Sequence, residues 1–252
     1  MNSSDRQRLS AIAHAGSAMW GPVSERTIQE ILSRAEESIE RTSVVLDLGC
    51  GPAELLRRLA ERTGTRGVGI DASPHAIDEA ERRLDASPAR HRIELRLADV
   101  HDLPREPEFD LVICLGPGWD TGGWFELTRW ASGFVRSEGH LVLGEGAWRT
   151  NPLGETLERL QMSAADYLPS DQVEDAVRDA GVEPQWVHRS TPHEWQAYGD
   201  AYRGALKRYA AKNPDDPITA SALQRAGPGW PTFELLHETL DFVIVLGQPT
   251  GA

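Results

Sequence analysis

Along this chain, short β-branched and apolar runs alternate with longer stretches in which apolar residues recur every three or four positions. The first pattern suits strands buried on both faces and the second suits amphipathic helices. Their alternation predicts βαβ units around a mostly parallel sheet. Ile28, Ile31, Leu32 and Ile39 amid charges predict a helix over 24–40 capped by Ser24, followed by a first strand at Ser43–Leu48. Pro52, well suited to a first helical turn, opens a helix through Thr63, and Gly64 ends it. Strand 2 is Gly67–Ile70, and Ser73-Pro74 opens a helix to about Ala86. Strands 3 and 4 are Arg92–Leu97 and Phe109–Leu115. A helix at about 122–136 leads into strand 5, His140–Leu143, after which Glu145–Arg149 leaves the sheet. Asp171–Ala180 predicts a further helix, and Glu183–Arg189 and Leu240–Leu246 the last two strands.

The expected fold is therefore α/β, a Rossmann-like seven-stranded, mostly parallel sheet with helices on both faces. Two segments stand apart. Residues 146–169 read as irregular, whereas residues 191–238, between the last two strands, are too long for a bare loop. The latter predict a helical insertion that serves as a lid or substrate wall. With 252 residues the chain fits one domain, residues 1–42 forming an N-terminal helical segment.

Apolar residues at 40% and charged residues at 26% suit an ordinary folded protein. The formal charge of −13 repels a phosphate backbone, which disfavours nucleic-acid substrates. Arg82, Arg83, Arg90, Arg92 and Arg96 alternate with Glu81, Asp85 and Glu94, the pattern of a solvated mixed face. Apolar runs are strand-sized and Met1–Ser10 is polar, so the expectation is a cytoplasmic protein that is not membrane-embedded. Cys50 and Cys114 end apolar runs and suit buried, reduced thiols. Without His or Cys partners at ligand spacing they make a poor metal site.

The chemistry concentrates in Val44-Val45-Leu46-Asp47-Leu48-Gly49-Cys50-Gly51-Pro52-Ala53, an apolar strand that ends in an acid and a GxG turn opening a helix. The glycines let the backbone turn sharply and a ligand approach it closely. A dinucleotide site would carry a further glycine at position 54, where Glu54 would instead stand beside a diphosphate. The implied ligand carries no phosphate, and Asp47 suggests that it is positively charged. About twenty residues on, Asp71 ends strand 2, where a carboxylate can accept both ribose hydroxyls.

Here the chain resembles the class I S-adenosylmethionine-dependent methyltransferases, their first motif falling on Val44–Gly51 and the later ones following in order across 43–145. The resemblance implies S-adenosyl-L-methionine as cofactor, with Asp47, Gly49, Cys50 and Gly51 at its methionine part and Asp71 and Ala72 at the ribose. Asp99 and Val100 would lie at the adenine, and Leu115 and Gly116 at the border between cofactor and acceptor. Adenine and cytosine amino-methyltransferases carry an Asn/Asp-Pro-Pro-aromatic segment after strand 4, where this chain reads Leu115-Gly116-Pro117-Gly118-Trp119. Gly116 also stands where metal-dependent O-methyltransferases place an acidic ligand, so no metal is expected. In layout the chain is similar to small-molecule methyltransferases of ubiquinone biosynthesis and of actinobacterial natural-product pathways. The expected partner is a small-molecule acceptor, with the protein a monomer or homodimer.

Among eight tryptophans, Trp20, Trp119, Trp124, Trp148, Trp195 and Trp230 fall near strand C-terminal ends or in the insertion, where they build an acceptor pocket or simply pack. Trp20, Trp119, Trp148, Arg149, Trp195 and Tyr198 are the candidate substrate residues; Trp195, Tyr198, Tyr202, Leu206 and Tyr209 recur at helical spacing. As base or orienting group, Glu145 after strand 5 is best placed, unless it pairs with Arg149. His14 and His237 are the other candidates, His237 being equally readable as a surface residue. Two other readings use the same motif: a module that binds S-adenosylmethionine without turning it over, and a nucleotide-dependent oxidoreductase.

Overall fold

The computed structural model describes residues 2–106, 108–116, 122–227 and 232–250, the side chains of 232–234 excepted. Among these, seven strands form one sheet in the order β3-β2-β1-β4-β5-β7-β6. They are β1 (Val44–Leu48), β2 (Arg66–Asp71), β3 (Ile93–Leu97), β4 (Phe109–Leu115), β5 (Val135–Trp148), β6 (Val182–Arg189) and β7 (Leu240–Pro249). β1 to β5 pair in parallel, while β7 runs antiparallel to both β5 and β6. The strand order reverses between β1 and β4, and ligands of open α/β sheets bind at that crevice, outside the strand C-termini.

Helices cover both faces. On one, α2 (Glu25–Glu37), α3 (Glu54–Thr63) and α4 (Pro74–Asp85) bury Ile28, Leu32, Leu56, Leu59 and Leu84 against Val45, Leu111, Ile113 and Val142. On the other, α5 (Trp124–Ser132) and α7 (Val173–Asp179) pack Leu127, Ala131, Val173 and Val177 on Leu46, Val112, Leu143 and Val245. Even- and odd-numbered positions along β5 separate cleanly between these cores, as the two-residue period of a strand demands.

Between β6 and β7 lie α8 (Pro192–Lys212), α9 (Thr219–Ala226) and α10 (Thr232–Thr239). α8 and α9 share a small core with α1 (Ser3–Ala13), in which Leu9 and Ala13 meet Tyr202, Leu206 and Ala222. α8 begins at a capping box, Thr191 with Glu194. Glu194 also accepts from Ser24 N at 3.0 Å and Thr27 Oγ1 at 2.6 Å, which joins the start of α8 to the start of α2.

Three boundaries depart from expectation. β5 continues through Glu145 to Trp148, because the backbone of 141–148 pairs residue by residue with β7. The 124–132 helix ends before Val135, where β5 begins. α3 starts at Glu54 and not at Pro52, because Ala53 sits in the left-handed region at φ 53°. Residues 146–169 are also more ordered than expected: they hold the end of β5 and α6 (Gly154–Leu160). No described helix is long and apolar enough to cross a membrane.

Candidate cofactor and acceptor site

The turn after β1 is built from three left-handed residues at alternate positions, Gly49 at φ 68°, Gly51 at φ 52° and Ala53. Glycine adopts that conformation freely, and alanine only at a cost of about 1 kcal/mol. The turn is held to β2 by Cys50 N donating to Ile70 O and Gly51 N donating to the Asp71 carboxylate, both at 2.9 Å. Asp71 takes a second backbone donor, Ser73 N at 2.8 Å, and keeps oxygen lone pairs for ribose hydroxyls. Burial raises the Asp71 carboxyl, and the two backbone donors oppose that rise.

Asp47 is 5% exposed. Burial, and then the charge of Asp71, push its carboxyl up to about 7. Two acids at one turn are what a cationic ligand would relieve. Cys50 points to Gly69, whose hypothetical Cβ would lie 3.1 Å from the sulfur, and burial pushes the thiol well above its ordinary value. The residue also lines the cavity at this turn. Ala72 is exposed, its carbonyl 3.4 Å from Gln7 Nε2 of α1. Asp99 is exposed and accepts from His101 N at 2.9 Å, with Val100 half-buried behind it.

A narrow cavity opens on this turn. Its lining joins Asp47, Gly49 and Gly51 to Met19 and Trp20 from the segment before α2, and to Ile113, Leu115 and Phe242. Trp20 lies across the turn, 3.9 Å from where a Cβ on Gly51 would stand. Gly116, at φ 90°, closes β4 with its N–H on Gly144 O at 2.8 Å. Glycine turn, two acids and cavity together fit S-adenosylmethionine, which is cationic and phosphate-free.

Beyond Phe242 the same sheet face continues as an aromatic cluster of Trp148, Tyr167, Trp195 and Tyr198. Two glycines form its floor. A Cβ on Gly144 would lie 3.2 Å from the Phe242 ring, and one on Gly146 2.4 Å from the Tyr167 ring, so both rings rest on bare backbone. Trp148 donates its indole N–H to Ala164 O at 3.0 Å, and Trp195 is 6% exposed against Trp148 and Leu240.

His14 is placed where α1 ends. Its Nδ1 lies 2.7 Å from Ser10 O, a pure acceptor, so Nδ1 carries the proton and Nε2 accepts from the Tyr198 hydroxyl at 2.8 Å. Burial lowers the imidazole to about 4 and raises the Tyr198 phenol. The His14 ring stacks on Trp20, with centroids 5.0 Å apart.

Other candidates are placed differently. Glu145 stays in β5 on the Leu143–Ala147 face, opposite Phe242, and accepts from Gly146 N at 2.7 Å. The Glu145–Arg149 pair does not form, because Arg149 binds Asp241 at 2.7 Å and the carbonyls of Ser190, at 3.0 Å, and His237. His237 is half-buried at the end of α10. Trp124 is buried under β5 with its N–H on Gly146 O. Trp119 and Trp230 lie outside the described residues. Phe242, Tyr167 and Met19 were missed by sequence reasoning. The spaced pair Gly144 and Gly146 inside a strand signalled close approach by a ring.

Residues 45–131 match the methyltransferase domain family. The Escherichia coli protein YjhP is 26% identical over 70% of this chain and 72% of its own length. The 27-O-demethylrifamycin SV methyltransferase of Amycolatopsis mediterranei is 25% identical over 64% of this chain and 62% of its own. In fold, the chain superposes on a Thiobacillus denitrificans SAM-dependent methyltransferase crystallised with S-adenosyl-L-homocysteine, at a TM-score of 0.86 and 20% identity over 96% of this chain and 98% of that one. The domain match over 45–131, the strand order and the turn that joins Asp47, Gly51 and Asp71 agree: the chain carries a methyltransferase domain of the S-adenosylmethionine-dependent kind.

Proposed function

We propose that this methyltransferase transfers a methyl group from S-adenosylmethionine to a small organic acceptor with an apolar or aromatic body. The acceptor is received between Phe242 and the Tyr167, Trp195 and Tyr198 cluster. The observation that carries the reading is Phe242, which lines the cavity at the glycine turn and also packs in the aromatic cluster. Bound there, the donor would supply an electrophilic methyl on a sulfonium, whose leaving group is a neutral thioether and needs no Lewis acid.

The residues' part is to bind, orient and exclude water. Asp47 and the Gly49–Gly51 turn would face the methionine end, Asp71 and Ala72 the ribose, Asp99 and Val100 the adenine, and Leu115 and Gly116 the junction with the acceptor. Trp20 would close over the turn, with α8 to α10 as the wall above the acceptor and Trp148 and Trp195 behind it. His14 keeps the Tyr198 hydroxyl oriented; with an imidazole at about 4 it is a weak base, so the acceptor must enter already nucleophilic or lose its proton to water. Glu145, Arg149 and His237 have no role in transfer on this reading.

The net charge of −13 argues for a metabolite acceptor and against nucleic acid, and the buried thiols Cys50 and Cys114 suit a reducing cytoplasm. We further read the chain as one domain that acts as a monomer or homodimer. Calorimetry with S-adenosylhomocysteine and with NAD, followed by an acceptor screen with labelled donor, tests the reading. Binding of NAD in place of adenosylhomocysteine overturns it, and donor binding without turnover of any acceptor supports a binding module instead.

A further inference from the structure

The chain between α1 and α2 has no regular structure of its own, yet it supplies Met19, Trp20 and Gly21 to the cavity at the glycine turn. A backbone with so few partners drifts unless its carbonyls are held. Arg83 of α4 holds two in succession: Nη2 donates to Ser17 O at 2.7 Å and Nη1 to Ala18 O at 3.0 Å. The guanidinium is itself fixed from behind. Nη1 also lies 3.0 Å from Glu54 Oε2, and Nε donates to Glu79 Oε1 at 2.8 Å.

Glu54 is 6% exposed, stands at the first residue of α3 and lines the same cavity. Its Oε1 receives Arg57 at 2.8 Å and Arg58 at 2.6 Å. Burial pushes its carboxyl up, but hydrogen bonds from Arg57, Arg58 and Arg83 outweigh that and hold it below its ordinary value. Glu54 is therefore a fixed anion at the mouth of the turn, and the planar fork of Arg83 bridges it to the crossing strap. A lysine has no such fork.

We propose that Arg83 is a positioning residue for cofactor binding: it bolts the Ser17–Gly21 strap to Glu54, so that Trp20 stays over Gly51 and release of donor and product is slowed. The inference rests on the reading that the donor lies against the Gly49–Gly51 turn. Arg83 acts only through the strap.

Stopped-flow release of S-adenosylhomocysteine tests it, with melting temperatures measured alongside. Arg83→Ala should speed release about tenfold, Arg83→Lys less, and Trp20→Ala about as much as Arg83→Ala. Because the two residues act in series, the double variant should release no faster than Trp20→Ala alone. Arg58→Ala, which removes a Glu54 partner without touching the strap, should lower the melting temperature and leave release unchanged. Unaltered release from folded Arg83→Ala, or additive effects of Arg83→Ala and Trp20→Ala, overturns the proposal. If Arg83→Ala does not fold, unaltered release from Arg83→Lys does so. Failure of the wild-type protein to bind adenosylhomocysteine would instead overturn the site reading, and this inference with it.

Discussion

Asp71 accepts the Gly51 N–H at 2.9 Å, so the acid that ends β2 also holds the shape of the turn that follows β1. Asp71→Ala removes the proposed ribose acceptor and leaves the Gly51 and Ser73 amides without their partner at once. Affinity for S-adenosylhomocysteine should fall by about 1–3 kcal/mol. Asp71→Asn should restore part of it, since one amide oxygen survives. Calorimetry that shows unchanged affinity for Asp71→Ala would remove Asp71 from the site.

If Asp47 faces the donor's charge as proposed, binding should depend on pH. Its folded carboxyl is raised to about 7 from an ordinary 3.8, so between those values the folded chain keeps a proton that the unfolded chain has lost. Stability from this group therefore falls as pH rises through that window. A cationic ligand favours the ionised form, so donor affinity should rise with pH up to about 7, with a proton released on binding at pH 6. Titrations at pH 6 in buffers of different ionisation enthalpy should show that release, and Asp47→Asn should abolish it. Binding without proton release in the wild type would separate Asp47 from the ligand's charge.

Ala53 is fully buried at φ 53°. Ala53→Gly relieves about 1 kcal/mol of left-handed strain but loses a buried methyl, worth about 0.8 kcal/mol, and frees the unfolded chain. The variant should lie within about 1 kcal/mol of wild type in urea. Ala53→Val places a β-branched residue in that conformation and should cost about 2 kcal/mol or more. Equal stability of the two variants would show that the turn relaxes.

The glycine turn and its two acids were legible because strand, turn and acid follow one another within residues 44–71, and local sequence dictates local geometry. The acceptor half and the strap over the turn were not. His14 meets Tyr198 across 184 positions and Arg83 meets Ser17 across 66, contacts that only the packed fold creates. The end of β5 was misplaced for a related reason. Gly144 and Gly146 interrupt the apolar run, but pairing with β7 carries the strand through them to Trp148.

Arg149 should behave as a structural residue. Its partner Asp241 is 5% exposed, and Arg149→Ala leaves that carboxylate buried without its cation. The expected loss is about 3–5 kcal/mol of stability. Arg149→Met with Asp241→Asn, which removes both charges, should recover much of it. A stable Arg149→Ala protein defective only in acceptor KM would return Arg149 to the acceptor site.

Tyr198→Phe tests the acceptor side with the smallest change. The hydroxyl donates to His14 Nε2, whose tautomer is set by Ser10 O, so its loss leaves a buried lone pair without that donor and should cost about 1–3 kcal/mol of stability. The ring remains, and with it the stack of His14 on Trp20 over the glycine turn. Adenosylhomocysteine affinity should therefore stay within about threefold, while kcat falls or acceptor KM rises, because Tyr198 is proposed to stand on the acceptor side of Phe242. Burial lowers His14 to about 4, too low to shape activity near neutrality, whereas Asp47, raised to about 7, should contribute an acid limb there. That limb should survive in Tyr198→Phe and vanish in Asp47→Asn. A Tyr198→Phe enzyme with normal acceptor kinetics but weakened adenosylhomocysteine binding would move Tyr198 to the cofactor side of Phe242.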